Sequence, residues 1–490
     1  MSMKAILWIV SVHICSAQQG PDVVVCMETL AGPLKRNSPN YMPPESACYP
    51  ESNPSGNCTD IQVNALMIDG VLTKQGSVPP VGVDTLCVKD VQAAVRFTAD
   101  HDLCLVVKNT GHNYLGRSTA KGAFMIWTHH LKDITTNSAF VPNGAPESKM
   151  HNGWDLRPQH ARGWLTGGRH GAFSPQHGPS VNIAIQITTV MASSKHLTAN
   201  SHVNFELFWA VRGGGEGTYG VLTSVTYRTH KITPLTVAFL ISKFSLPTVE
   251  KEILTKYLKL WPGLADVSWG SYLEIPNSGA SLSTDLTLFL VAPNVSWANI
   301  NVTINPFFNF IQNAQPDAFT TTVHFNTYYS FYQALFAAAT SKPVGFNVEV
   351  ASHLLPRETF DHPEHLADVI MGFQESIQLI HIGGGKISEI DPDSAGLNPA
   401  WCKVIVHMVV GNGWLSDLCC RAKFRDDLAI LESLAPGGGA YFNEASLYEL
   451  NQQMFFGDHY DHLEEIKDLF IVAEGVGSER WDTALNCKLY

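Results

Sequence analysis

The sequence predicts an α+β protein built as two domains or as one large composite fold. Three observations carry this expectation. A chain of 490 residues is too long for one simple core. Residues 90–118 read as a helix, a buried strand and a glycine loop in that order, which is an α/β unit. Residues 233–430 lose the glycine-rich loops and read as mixed strands and helices. The composition, 45% hydrophobic and 16% charged, is that of a globular protein. A formal net charge of −12 argues against a nucleic-acid partner, whose phosphates it would repel.

The first residues form a secretory leader. Lys4 is the positive flank, Ala5 to Val12 the apolar core, and Cys15-Ser16-Ala17 the small residues before a cut after Ala17. The leader is too short for a membrane span, and Lys243 interrupts the best later run, TVAFLISKFSL. No membrane partner is therefore expected. Asn-x-Ser/Thr sequons at Asn57, Asn294 and Asn301 agree with secretion. Nine cysteines remain after cleavage, so most should pair and at least one stays unpaired. Cys104 is the expected free thiol, because it sits in the apolar run LCLVV. Residues 18–79 are rich in Pro, Ser, Asn and Cys and read as a disulfide-stapled lead-in.

Asp90 opens DVQAAVRFTADHD, in which Val91, Ala94, Val95 and Thr98 share one helical face. LCLVV follows as a buried strand and leads into KNTGHNYLGRS. Two further glycine-rich stretches are ARGWLTGGRHGAFSPQHG, from Ala161, and ELFWAVRGGGEGTYGVLTSVTYRTH, from Glu206. Val221 to Tyr227 is β-branched and alternating, a strand pattern. Leu463, Ile466 and Phe470 mark a helix near the end.

Gly215 to Gly220 spells G-x-G-x-x-G, but a strand pattern follows it and residues 235–242 hold no acid, which disfavours a dinucleotide fingerprint. The pairs His459/His462 and His362/His365 lack an H-E-x-x-H context, and Pro363 opposes a helix through the second, so no metal is expected. No G-x-S-x-G elbow exists. The loop after LCLVV stands apart. Lys108, Thr110 and the backbone N–H groups of Asn109, Gly111 and Asn113 can form an anion-binding nest, with His112 at its tip. The residues alone favour the plainer reading, a loop histidine satisfied by a neighbour.

Taken together, GHNYLGRS, GGRHGAFSP, LFWAVRGGGEGTYGVLTSVT, NPAW, YFNEA, FFGDHYDHLEEIK and GVGSERW resemble the fungal FAD-linked oxidases. These are the berberine-bridge-enzyme-like group of the vanillyl-alcohol-oxidase superfamily. The resemblance spans nearly all the mature chain. It implies a two-subdomain PCMH-type FAD-binding domain over 80–232, a substrate domain with an antiparallel sheet over 233–430, and a segment over 431–490 that returns to the FAD domain. It implies an FAD-dependent oxidoreductase that takes hydride from a small alcohol, phenol or secondary-metabolite substrate, with O2 as the acceptor. By position, His112 would bond covalently to the flavin. Ser118, Gly167, Gly168, Gly220, Val221 and Asn443 would line FAD, and Tyr114 and Tyr441 would stand near the ring. A neutral imidazole is a fitting nucleophile for the attachment, and the bond keeps the cofactor on an exported protein. His407, in KVIVHMVVG, is a further candidate base because an ordinary imidazole titrates near neutrality; a structural sheet histidine is the other reading.

The sequence departs from the family pattern in three places. No cysteine stands between Cys104 and Cys402, which excludes a second, cysteinyl flavin bond. The stretch from His151 to Gly163 is short, and EEIKDLF lacks a turn usual between IK and LF. The lead-in before Gly76 is abridged as well. A reduced enzyme and the loss of exon-encoded pieces both explain this. A pseudoenzyme that keeps the pocket for binding, and an oligosaccharide oxidase on the same scaffold, are the rival functions.

Overall fold

A computed structural model describes residues 67–472 apart from 69–70, 73–78, 80, 110–112, 116, 119, 121–122, 132, 157–164, 216, 245, 277–284, 296, 336–346, 415–420, 447–448 and 450. The leader, most of the lead-in, Asn57 and the loop tip with Thr110, Gly111 and His112 lie outside these residues.

After a short hairpin of β1 (Met67–Ile68) and β2 (Val71–Leu72), the described strands form three sheets. The first is parallel, in the order β3 (Val81–Asp84), β5 (Phe124–Trp127), β4 (Leu105–Lys108). The helix Val88–Asp100 crosses from β3 to β4 and buries Val91, Ala94, Val95 and Thr98, the face that its spacing predicts. It starts two residues before Asp90 rather than at it. The Asp90 carboxylate accepts from the N–H groups of Leu86 and Cys87, at 3.0 and 3.1 Å, and so satisfies orphan donors of the first turn.

The second sheet is antiparallel, in the order β6 (Ile134–Phe140), β7 (His151–Leu156), β10 (Val221–Arg228), β8 (Ala184–Val190), β9 (His196–Asn200). The third has seven antiparallel strands: β14 (Phe319–Phe325), β11 (Leu235–Ser242), β13 (Leu286–Pro293), β12 (Gly270–Ile275), β16 (Ser376–His381), β17 (Val404–Trp414), β15 (Asn347–Pro356). Helices Pro247–Asp266, Asn305–Ala314 and Pro363–Gly372 cover one face of it. Their buried Trp261, Phe307 and Leu366 share a core with Leu240, Leu273, Leu288 and Met408 of the strands. The opposite face meets the five-stranded sheet. One cluster holds Ile187, Leu222 and Val225 with Leu354, Ile380 and Val409, and also Tyr441, Phe456 and Leu463 of the last described segment.

Two expectations change. Cys104 is disulfide-bonded, while Cys87 and Cys402 carry free thiols. The physical reason is place: the strand begins at Leu105, so Cys104 is only half-buried at its entry and not sealed in the core. Pro363 does not prevent a helix but starts one, at the first-turn position where its missing N–H is tolerated, with His362 just outside. No helix among the described residues is long and apolar enough to cross a membrane.

Candidate active site

Four segments distant in sequence converge where the sheets meet. The first follows β4. Trp127 Nε1 donates to the Asn109 carbonyl at 3.2 Å, Lys108 ends the strand, and Asn113 is buried and accepts from Arg117 N. Tyr114 N donates to the Asn443 carbonyl at 2.9 Å, which ties this loop to the C-terminal segment. Ser118 is half-buried nearby in the chain.

The second segment is the turn at 165–170. Gly215 N donates to the Thr166 carbonyl at 3.0 Å. A Cβ on Gly167 would lie 2.6 Å from Asn443 Oδ1, so only glycine lets the turn reach this asparagine. The third is Gly220-Val221, at the head of β10. Gly220 has φ +120°, and a Cβ there would meet the Val190 carbonyl at 2.6 Å and Thr189 Oγ1 at 2.7 Å. That Thr189 hydroxyl is buried and has no hydrogen-bond partner among the described residues. A strand, not a helix, follows Gly220, against a dinucleotide fingerprint.

The fourth is the short turn Phe442–Glu444 with the buried Tyr441 before it. Asn443 Nδ2 donates to Tyr441 Oη at 3.2 Å. Facing this turn, β17 presents His407, whose Nδ1 lies 3.1 Å from His170 Nε2 and 3.8 Å from Glu444 Oε2. The rings of His170, Trp401 and His407 surround Tyr441 with centroids 5.1, 5.6 and 5.7 Å away. Tyr272, Ile380 and His407 form one cross-strand row on this face, through the registers Tyr272–Ile380 and Ile380–His407.

The electrostatics sort these groups. Burial drives the His407 pKa well below its ordinary value, and His170 and His353 add to this, so the ring is neutral. The expectation of a base titrating near neutrality fails on this burial. Burial also pushes the Tyr114 phenol up to about 12, with help from Glu444, although the residue is 38% exposed. Arg169 is an exposed residue, so water screens its charge in part; the protein packed around its guanidinium still lowers its pKa, against the pull of Tyr441, Tyr272 and Glu444. Tyr272 is pushed up to about 12 by burial, with Arg169 opposing.

The structure thus brings Tyr114, Tyr441, His407, Asn443 and Gly167 into one neighbourhood, while Gly220 packs on Thr189 and Val190 at the head of β10; His112 lies outside the described residues. Sequence reasoning missed Arg169, His170, Glu444 and Tyr272. Its available signal was weak: charged residues inside glycine-flanked GGRHG and inside YFNEA. His170, His407 and Glu444 each offer a ligand atom within 4.8 Å of the others. The buried His407 Nε2 has no partner among the described residues, whereas metal-bound imidazoles donate their second N–H to an acceptor. The cluster therefore fits a hydrogen-bonded pair beside a carboxylate better than a metal centre.

No protein-family model matches the chain. An uncharacterized FAD-linked oxidoreductase of Arthroderma benhamiae is 29% identical over 476 residues, 84% of this chain and 80% of that protein. The FAD-linked oxidoreductase ZEB1 of Gibberella zeae is 30% identical over 450 residues, 81% of this chain and 75% of that one. Among solved structures, the VAO-type flavoprotein MtVAO615 from Myceliophthora thermophila C1 superposes with a TM-score of 0.74 at 22% identity, covering 92% of this chain and 94% of that one. The glucooligosaccharide oxidase of Acremonium strictum shares the fold at a TM-score of 0.65 and 16% identity, over 81% and 89% of the two chains. The chain belongs to the fungal FAD-linked oxidoreductases of the vanillyl-alcohol-oxidase superfamily.

Proposed function

We propose that the protein is an exported oxidase that holds FAD between the loop after β4, the Gly167-Gly168 turn, Gly220-Val221 and Asn443, and oxidises a small alcohol, phenol or secondary-metabolite intermediate. The residues present fit the cofactor. The Gly220 corner itself is filled by the Val190 carbonyl and Thr189 Oγ1; what suits FAD is the small, hydrogen-bonding lining that Gly167, Asn443 and the loop after β4 bring together. His112 would carry a covalent attachment, with no cysteine available for a second. Bound FAD supplies a two-electron acceptor that O2 regenerates. Residues 80–232 and 431–490 would form its domain and 233–430 the substrate domain.

The reading rests on Tyr441. A phenol is a poor base unless neighbours stabilise its anion. Here Asn443 Nδ2 donates to Tyr441 Oη at 3.2 Å, and the Arg169 cation interacts with the same phenol. In its ionised form Tyr441 would therefore take the substrate's hydroxyl proton and become a neutral phenol, while Arg169 holds the charge left on the substrate oxygen. Tyr114 stays protonated and donates a hydrogen bond. His407 keeps its proton on Nδ1, the nitrogen that has a partner, and so aims His170 Nε2 as an acceptor.

The protein secreted by a fungal host should begin at Gln18 or within a few residues of it. It should carry glycan at Asn57, Asn294 or Asn301; the last two side chains are exposed. It should show flavin absorption, keep colour in an acid-precipitated pellet, lose it in His112→Ala, and form hydrogen peroxide with its substrate. A colourless protein that takes up no added FAD overturns the reading in favour of a binding protein on the same fold.

A further inference from the structure

The helix Tyr328–Leu335 is fixed tightly at its start. Ser330 N donates to Thr327 Oγ1 at 3.0 Å, and Ser330 Oγ returns a bond to the Thr327 carbonyl at 2.8 Å. It buries Phe331 and Leu335 against Phe289 and Phe325 of the seven-stranded sheet. That face satisfies the fold. Tyr328 stands at the edge of that buried face, against Phe331 at 5.7 Å, and with Tyr329 and Tyr332 it is exposed, at 52%, 69% and 40%. Exposed large aromatic patches with polar tips mark ligand surfaces more often than accidents of folding.

These tyrosines connect to the site. The Tyr328 ring meets Phe173 edge-on at 5.4 Å, and Phe173 is four residues from Arg169. Burial raises the Tyr328 pKa while Arg169 lowers it, so the phenol senses the site cation. Tyr272 senses Arg169, Glu444 and Tyr328 together, and its hydroxyl lies 3.8 Å from where a Gly171 Cβ would stand. Geometry links these residues in steps: Tyr332 lies one helical turn from Tyr328, Tyr328 meets Phe173, Gly171 lies beside the Tyr272 hydroxyl, and Tyr272 shares a cross-strand row with His407, whose ring is 5.7 Å from Tyr441.

We propose that Tyr328 and Tyr332 form an outer subsite that stacks a distal aromatic ring of the substrate, while its reacting hydroxyl lies inward at Tyr441 and Arg169. The substrate class is then an elongated phenol or aromatic alcohol with a second flat ring. A sugar chain, whose C–H faces also stack on aromatic rings, is the competing occupant that the test separates. This inference rests on the oxidase reading for the identity of the inner end only.

The test measures binding of para-substituted phenols to the full-length protein by calorimetry, with a second phenyl ring held at increasing distance. One member of the series should bind about two- to tenfold tighter than phenol itself, the gain expected of an aromatic pair. Tyr328→Ala and Tyr332→Ala should each remove most of that gain and leave phenol binding unchanged. Tyr328→Phe should keep it. The subsite proposal is overturned if no two-ring phenol exceeds phenol, if Tyr328→Ala weakens phenol equally, or if a cello-oligosaccharide shows the tyrosine-dependent gain instead. Because binding is read without turnover, a colourless protein that still shows the gain sinks the oxidase reading and supports the subsite. A flavin-loaded, active protein that lacks the gain does the reverse.

Discussion

Neighbouring residues of the seven-stranded sheet meet opposite surroundings. On β17, Val406, Met408 and Val410 join the helix-side core, while Val409 packs towards the five-stranded sheet and His407 meets His170. On β12, Leu273 and Ile275 face the helices, whereas Tyr272 senses Arg169 from the other side. On β16, Leu379 lies in the same core, while Gln378 donates to Glu274 at 3.3 Å. Both faces are largely apolar, and the helix face has its own buried polar residues, Ser271 bonded to Tyr257 and His381 against Trp261. The cleft face differs in gathering titratable groups from several segments, His170 and Glu444 with His407 and Tyr441, which packing alone does not ask for.

The comparison breaks first at Tyr441. If the cleft face is chemical, Tyr441→Phe should keep bound flavin and melting temperature while substrate-driven flavin reduction slows by about 10²–10⁴-fold, the usual worth of a positioned proton acceptor. Anaerobic stopped-flow absorbance measures this directly. Retained speed would make the tyrosine a packing residue like its counterparts on the helix face.

The helix face should respond in the opposite manner. Trp261 is fully buried there, and Trp261→Ala should lower unfolding free energy by about 3–5 kcal/mol in urea titration. Tyr272→Phe removes only a hydroxyl that bonds the Ala172 backbone, at about 0.5–1.5 kcal/mol. It should instead change KM, through its place beside Arg169.

What the sequence shows follows the same division. Periodicity exposed the helix at 88–100, the strands β4, β10 and β17, and the apolar stripe of Leu463 and Ile466, because each is a local pattern. The cleft was partly legible: Gly220, Tyr441 and Asn443 stand in recognisable motifs. Arg169, His170 and Glu444 were not, because their meaning comes from partners far along the chain; His170 and His407 are 237 residues apart. The buried state of His407 was hidden for the same reason, since an alternating strand does not say which face a second sheet will cover. Cys104 misled because an apolar run does not reveal that its first residue sits half-buried at the strand entry.

A smaller effect lies in the loop that the family pattern makes longer. Residues 151–156 are a paired strand between β6 and β10, so an insertion belongs after Leu156 and not within it. Each backbone donor to a charged oxygen is worth about 1.5–3 kcal/mol. Restoring two by a grafted family loop should therefore tighten FAD binding about a hundredfold or more and raise flavin per protein from sub-stoichiometric to one. A native chain already at one flavin per protein, with brisk turnover, shows the short loop to be a working variant.

The smallest effect concerns the junction between the sheets, where β10 ends at Arg228 and β11 starts at Leu235. His230 in this link stacks on His177 with centroids 4.0 Å apart. Burial, with His230 beside it, lowers the His177 pKa to about 4, and burial and Arg228 lower that of His230. Both native rings are thus harder to protonate than in the unfolded chain, whose histidines titrate near 6.5. Their contribution to stability is complete above about pH 6.5 and is lost as pH falls towards 4, because the unfolded chain then binds more protons. The melting temperature should decline over this window, and His177→Gln should flatten part of the decline. Flavin absorbance and tryptophan fluorescence should report the same midpoint if the junction holds both faces of the sheet in one cooperative unit. Two separate midpoints, with flavin lost first, would show that the cleft face opens while the helix face stays folded.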